Sequence, residues 1–85
     1  MSLYRVEISK KVMKSIEKLP RSYIPKIYTT ITSLSKNPRP DGCKKLIGYS
    51  NYWRIRIGDY RIIYSIEDQI KIVKVRKVAG RKDAY

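Results

Sequence analysis

The sequence predicts an α+β domain. It reads as an N-terminal strand, an antiparallel helical hairpin, then a three- to four-stranded antiparallel meander, with the helices on one face of the sheet. Three observations carry this. Apolar residues recur at helical spacing over Ile24, Ile27, Tyr28, Ile31 and Leu34. Two runs rich in β-branched and aromatic residues flank Gly58-Asp59, which suits a two-residue type II′ turn. The 85 residues suffice for one small domain, residues 1–85, with a single core.

The elements follow in order. Residues 4–8 alternate and hold β-branched side chains, as a short strand does. Ser9 is placed to cap a helix. Val12, Met13, Ile16 and Leu19 share one face of that helix, and lysines fill the other. Pro20 stops it, because an interior proline loses a hydrogen bond and clashes with the preceding turn. A second helix begins near Ser22, with Pro25 in its first turn. The short connection predicts that the two helices pack antiparallel. Residues 36–42 (KNPRPDG) form a loop by every breaker rule. Residues 44–47 are a short strand candidate. Residues 52–57 and 60–66 make the central hairpin, Glu67-Asp68-Gln69 the next turn, and residues 70–78 the last strand.

Composition narrows the chemistry. Twenty Lys and Arg stand against seven Asp and Glu, a net charge of +13. Such a chain attracts polyanions: nucleic acid first, an acidic protein second, an anionic membrane third. Thirteen isoleucines supply a core, so the charge does not imply disorder. The absence of histidine excludes Ser-His-Asp triads, imidazole acid–base pairs and His-based metal sites. One cysteine excludes an intrachain disulfide and a Cys-cluster zinc site, and Cys43 reads as a small hydrophobe. No metal and no cofactor is expected. No apolar run of about 18 residues exists, so no spanning helix and no membrane role is expected. The N-terminus lacks an apolar signal core, and the default location is the cytoplasm.

The hairpin register locates part of the charge. With Gly58 and Asp59 as turn residues, Ile57 pairs with Tyr60, Arg56 with Arg61, Ile55 with Ile62 and Arg54 with Ile63. Alternation then puts Arg54, Arg56 and Arg61 on one face. Trp53, Ile55, Ile57, Tyr60, Ile62 and Tyr64 take the other, where the helices belong. Like charges directly opposite destabilise a strand pair. An anion site explains the cluster better than a solvated face, since the guanidinium fork grips phosphate with two hydrogen bonds. Lys71, Lys74, Arg76 and Lys77 lie on the last strand in an ambiguous register. Arg81 and Lys82 continue the charge. Tyr85 is able to stack on a base or exchange a proton. Lys44 and Lys45 are phosphate-positioning groups or solvated lysines. Tyr49 and Tyr52 sit near a turn and suit either a core or a stacking role.

The string YWRIRIGDYRIIY over residues 52–64 resembles the central hairpin of the RelE/ParE toxin superfamily. The ending VAGRKDAY over residues 78–85 does too, and Leu19-Pro20, Asn37-Pro38 and Lys44-Lys45-Leu46 also fit. The resemblance covers nearly the whole chain and implies the toxin of a type II toxin–antitoxin system. In the RelE branch it implies a ribosome-dependent endoribonuclease acting in the A site, an mRNA interferase that inhibits translation. The ribose 2′-OH attacks the adjacent phosphate without a metal, leaving a 2′,3′-cyclic phosphate and a 5′-OH.

The family's catalytic positions match Arg54, Arg56, Arg61, Arg81 and Tyr85. Arg61 and Arg81 would neutralise the phosphorane-like transition state. Arg54 or Arg56 would hold the backbone and assist the leaving oxygen. Tyr85 would be the general base, its charged form favoured by surrounding cations, with Asp83 as fallback. Lys44, Lys45, Lys77 and Lys82 make up the RNA-binding set. Many relatives carry a histidine where this chain has Gly80, which places more of the orientation on the ribosome. The implied partners are an acidic antitoxin, the ribosome and mRNA, and the toxin alone is expected to be a monomer or weak dimer. Two alternatives stay open: a ParE-like non-enzymatic toxin that inhibits DNA gyrase, and a plain basic nucleic-acid-binding module.

Overall fold

The computed structural model describes residues 3–80. Five strands and two helices follow in the order β1 (Arg5–Ile8), α1 (Lys10–Glu17), α2 (Ile24–Ser33), β2 (Lys44–Lys45), β3 (Tyr52–Ile57), β4 (Tyr60–Glu67) and β5 (Ile72–Gly80). All strands join one sheet in the order β1-β5-β4-β3-β2. The meander β2 to β5 is antiparallel, as expected. β1 lies parallel to β5, with Val6 opposite Val73, so the sheet is mixed. The two helices carry the chain from β1 at one edge to β2 at the other, and the meander then returns β5 to lie beside β1.

Local chemistry explains the helices. Ser9 caps α1, its Oγ accepting from the Val12 N–H at 3.2 Å. The cap satisfies one of the N–H groups that a helix start leaves without a partner. Val12 and Ile16 are buried, whereas Met13 sits at the edge of the stripe and stays 37% exposed. α2 starts two residues later than Ser22, with Pro25 in its first turn and no side-chain cap. Ile27, Ile31 and Leu34 are buried against the sheet.

The core lies between the helices and one sheet face. Ile55, Ile62, Tyr64, Ile66, Val73, Val75 and Val78 supply the sheet side. Cys43 and Trp53 are partly buried and pack against it. Several strand boundaries differ from expectation by one or two residues, and two of them have a visible cause. β2 ends at Lys45: Leu46 N–H still bonds the Tyr52 carbonyl at 2.9 Å, but the chain turns at Ile47, which is 98% exposed. β5 starts at Ile72, because Lys71 adopts φ 57°, a left-handed turn conformation.

The central hairpin has the expected register at every pair. Gly58 has φ 58° and Asp59 is not in the positive-φ region, which fits a type II′ turn. Tyr23, from the connection between the helices, closes over this turn. Its ring packs edge-on to Tyr60 at 4.7 Å between centroids. A Cβ on Gly58 would meet Tyr23 Cε1 at 2.7 Å. Gly58→Ala therefore carries both left-handed strain and a clash, and is expected to cost about 2 kcal/mol in urea unfolding. Unchanged stability would refute this account of the turn.

Candidate functional site

The face of the sheet away from the helices resolves into transverse rows. Paired residues on neighbouring strands share a face, and rows repeat about every 7 Å along the strands. Nearest the Gly58 turn stand Arg56, Arg61 and Ala79. The next row is Lys44, Arg54, Ile63 and Lys77. The third is Tyr52, Ser65, Lys74 and Glu7. Five cations thus occupy two adjacent rows. The acidic Glu7 lies beyond them, in exposed contact with Arg5 at 3.8 Å. Such an exposed pair is worth little, so the gradient towards the turn stands.

Arg54 and Arg61 are half-buried and Arg56 is exposed. Ile63 is only 6% exposed although it lies on this face, flanked by Arg54 and Lys77 in its row. The guanidinium and ammonium heads therefore stand around an apolar floor, an arrangement that long aliphatic stems allow. Ala79 places no bulk beside Arg61.

The structure sorts the expected residues. Arg54, Arg56, Arg61, Lys44 and Lys77 come together. Lys45 does not: it pairs with Trp53, so it belongs to the helix-covered side of the edge strand. Strict alternation puts the neighbouring lysines Lys44 and Lys45 on opposite faces. Arg81, Lys82, Asp83 and Tyr85 lie outside the described residues.

A β-bulge decides the last strand. The register slips between Ile63 and Tyr64, so that Lys77 faces Ile63, Val75 faces Tyr64 and Arg76 is the extra residue. The burial pattern agrees: Val73, Val75 and Val78 are all buried, and spacings of two then three cannot share a face without an inserted residue. Arg76 uses its freedom to donate from Nε to the buried Ser65 Oγ at 3.0 Å. Its guanidinium also lies over the Tyr52 ring at 5.5 Å.

Sequence reasoning missed a clamp at the opposite end of the sheet. Arg39, in the loop before β2, donates to both carboxylate oxygens of Asp68 at 3.2 and 2.8 Å. Tyr4 donates to the same carboxylate at 2.6 Å. Arg39 also covers the Trp53 ring at 5.1 Å. No local pattern marks this set, since its members are separated by 29 and 64 residues. The Arg39 and Tyr4 hydrogen bonds hold the Asp68 carboxyl down to about 2, below the usual carboxylate value. A carboxyl depressed by folding stabilises fully above its unfolded value and loses that effect as pH falls through the folded one. The melting-temperature deficit of Asp68→Asn is expected to be present at neutral pH and to shrink between pH 4 and 2. A deficit that stays constant over that range would contradict the clamp.

Among the described residues, no group of three or more His, Cys, Asp or Glu could hold a metal ion. Among them also, no helix is long and apolar enough to cross a membrane. Fold and face together define a small basic α+β domain with an assembled arginine–lysine sheet surface. A family model described as the ParE toxin of the type II toxin–antitoxin system parDE matches residues 6–85. The putative toxin RelE1 of Methanocaldococcus jannaschii is 35% identical over 85 residues, covering 96% of this chain and 94% of that one. The crystal structure of an archaeal RelE–RelB complex from Pyrococcus horikoshii superposes with a TM-score of 0.83 at 34% identity, covering 99% and 100% of the two chains. The isolated E. coli RelE toxin shares the fold, with a TM-score of 0.77 at 22% identity over 91% of this chain and 83% of that one. This chain belongs to the RelE/ParE family of toxins of type II toxin–antitoxin systems.

Proposed function

We propose that this toxin is a ribosome-dependent endoribonuclease that cleaves mRNA in the A site. The observation that carries the reading is the cross-strand pair Arg56–Arg61 beside the Lys44, Arg54 and Lys77 row, on the face that the helices leave uncovered. Concentrated like charge costs folding energy, and a polyanionic substrate offsets it.

The chemistry is transesterification without a metal. The ribose 2′-OH gives its proton to a base, the 2′-oxygen bonds phosphorus, and the bond from phosphorus to the 5′-oxygen breaks. The products are a 2′,3′-cyclic phosphate and a 5′-OH, after the leaving oxygen takes a proton. Charge grows on the non-bridging oxygens as the fifth bond forms. Arg61 and Arg81 meet that charge, and positive groups already in place stabilise it without reorganisation. Arg54 and Arg56 hold the substrate backbone and support the leaving oxygen electrostatically. Arginine stays protonated in proteins, so it serves as neither base nor acid. The base is Tyr85, with Asp83 as fallback. Lys44, Lys77 and Lys82 guide the strand. Lys45, on the other side of the edge strand, lines a cleft with Lys44 and Arg54 and joins them in guiding the strand.

The partner is an acidic antitoxin. The Pyrococcus relative is seen in a RelE–RelB complex, as is a relative from Methanococcus jannaschii at 27% identity. An acidic segment laid over the arginine rows would bind fast, with strong salt dependence. An mRNA-directed toxin of this kind works in the cytoplasm.

Programmed ribosomes incubated with the protein test the proposal. Mapping mRNA 5′ ends is expected to show cuts confined to the A-site codon. Absence of cuts would sink the nuclease reading. The matching family model is named for ParE, which keeps a gyrase-directed toxin as the second reading. Inhibited supercoiling by gyrase without RNA cleavage would establish that one instead.

A further inference from the structure

Tyr49, in the loop between β2 and β3, and Tyr52, the first residue of β3, set two aromatic rings beside the arginine rows. Tyr49 and Tyr52 stack with centroids 5.3 Å apart and planes 24° from parallel. Tyr52 belongs to the row next to Arg54, and the Arg76 guanidinium lies over its ring. Tyr49 remains 59% exposed. A cleft of about 390 Å³ opens here, lined by Tyr49, Arg54 and Lys44 among others. One small surface thus joins an aromatic face to two cations of the second row.

The loop is held at both ends. Leu46 N–H bonds the Tyr52 carbonyl and Ile66 N–H bonds the Asn51 carbonyl, both at 2.9 Å. Gly48 and Asn51 take positive φ, which lets the chain reverse tightly enough to bring Tyr49 back over Tyr52. The platform is therefore formed before any ligand arrives. With Arg76 over Tyr52 and Tyr49 still exposed, the Tyr49 ring is the member of the stack open to a further planar group. Single-stranded RNA supplies that group with a phosphate attached, matching aromatic and cation together.

We infer that the Tyr49–Tyr52 stack and its cleft form a base-stacking subsite for single-stranded RNA. It takes the base of a nucleotide whose phosphate is gripped by Arg54 and Lys44. This rests on the proposed RNA substrate, and gives that substrate a second anchor independent of the cleavage chemistry. Stacking tolerates any base, so the subsite contributes affinity and position more than sequence choice.

Fluorescence anisotropy with a labelled hexaribonucleotide, and the same strand made abasic, tests the inference on the isolated protein. Tyr49→Ala is expected to weaken binding of the intact strand about tenfold. Binding of the abasic strand is expected to stay unchanged, and Tyr49→Trp is expected to retain wild-type affinity. Tyr49 is exposed, so its melting temperature should match wild type and exclude misfolding. Arg54→Ala is expected to weaken both strands alike. Equal losses on both strands in Tyr49→Ala, no loss on either, or no RNA binding by the wild type would each overturn the subsite. So would binding of a glutamate-rich peptide that Tyr49→Ala abolishes while RNA affinity is untouched, since that would assign the platform to a protein. Base-dependent binding without cleavage on ribosomes would remove the nuclease reading and leave the subsite standing.

Discussion

Arg61→Ala is expected to slow single-turnover mRNA cleavage on programmed ribosomes by about 10²- to 10³-fold, the usual effect of deleting one preorganised group that meets transition-state charge. Arg61 sits in the row nearest the hairpin turn, half-buried and opposite Arg56. Its position is set by a strand in the middle of the sheet, not by a loop. Arg61→Lys keeps the charge but loses the planar fork, so its rate is expected to fall between wild type and alanine. Arg56→Ala offers a complementary measurement. It removes one member of a like-charged cross-strand pair, so stability is expected to hold or rise by about 0.2–1 kcal/mol while cleavage falls. Cleavage by Arg61→Ala at the wild-type rate would remove Arg61 from the reaction. A loss of activity in Arg56→Ala that tracked a loss of stability would assign that residue to folding instead.

Tyr64→Ala is expected to cost about 3–5 kcal/mol, the range for deleting a buried aromatic ring. A small domain has roughly 5–15 kcal/mol in total, so this variant sits at the margin of folding. Tyr64 is fully buried in the central strand β4. Its hydroxyl donates to the Pro38 carbonyl at 2.7 Å, tying the loop before β2 to the sheet. Burial pushes the phenol up from its ordinary value, so it remains a donor throughout the physiological range and is no candidate for the catalytic base. Tyr64→Phe keeps the ring and leaves the Pro38 carbonyl without its partner, for an expected cost of about 1–2 kcal/mol. For a domain of this size that lowers the melting temperature by roughly 4–8 °C per kcal/mol. Near-equal stability of Tyr64→Phe and wild type would show that water replaces the lost bond.

Much of this architecture is legible in the residues because its signals are local. Ser9 announces a cap, Pro20 a stop, and Gly58-Asp59 a turn. Once that turn is placed, alternation assigns Arg54, Arg56 and Arg61 to one face with no further information, and the observed register agrees at every pair. The stripe of α2 is equally local, and its central members are the buried ones. Less was legible where geometry depends on partners far along the chain. The register of the last strand was ambiguous in its residues, and only the paired neighbour shows the bulge that ejects Arg76 towards Ser65 and Tyr52. Tyr49 and Tyr52 suited core or stacking equally well until the turn at Asn51 brought their rings together.

By itself the sequence determined the element order, the class, the hairpin register and the exclusion of imidazole chemistry. Each of these follows from side-chain period, backbone restriction or composition, which act over a few residues. The tertiary structure alone decided that β1 runs parallel to β5 and that Lys44 and Lys77 join the arginine rows while Lys45 does not. It also decided that Arg39, Tyr4 and Asp68 close the far end of the sheet. Those outcomes depend on strand neighbours and on contacts across as many as 64 residues. Their physical cause is the burial of one sheet face under two helices, which fixes the positions of side chains that no local pattern relates.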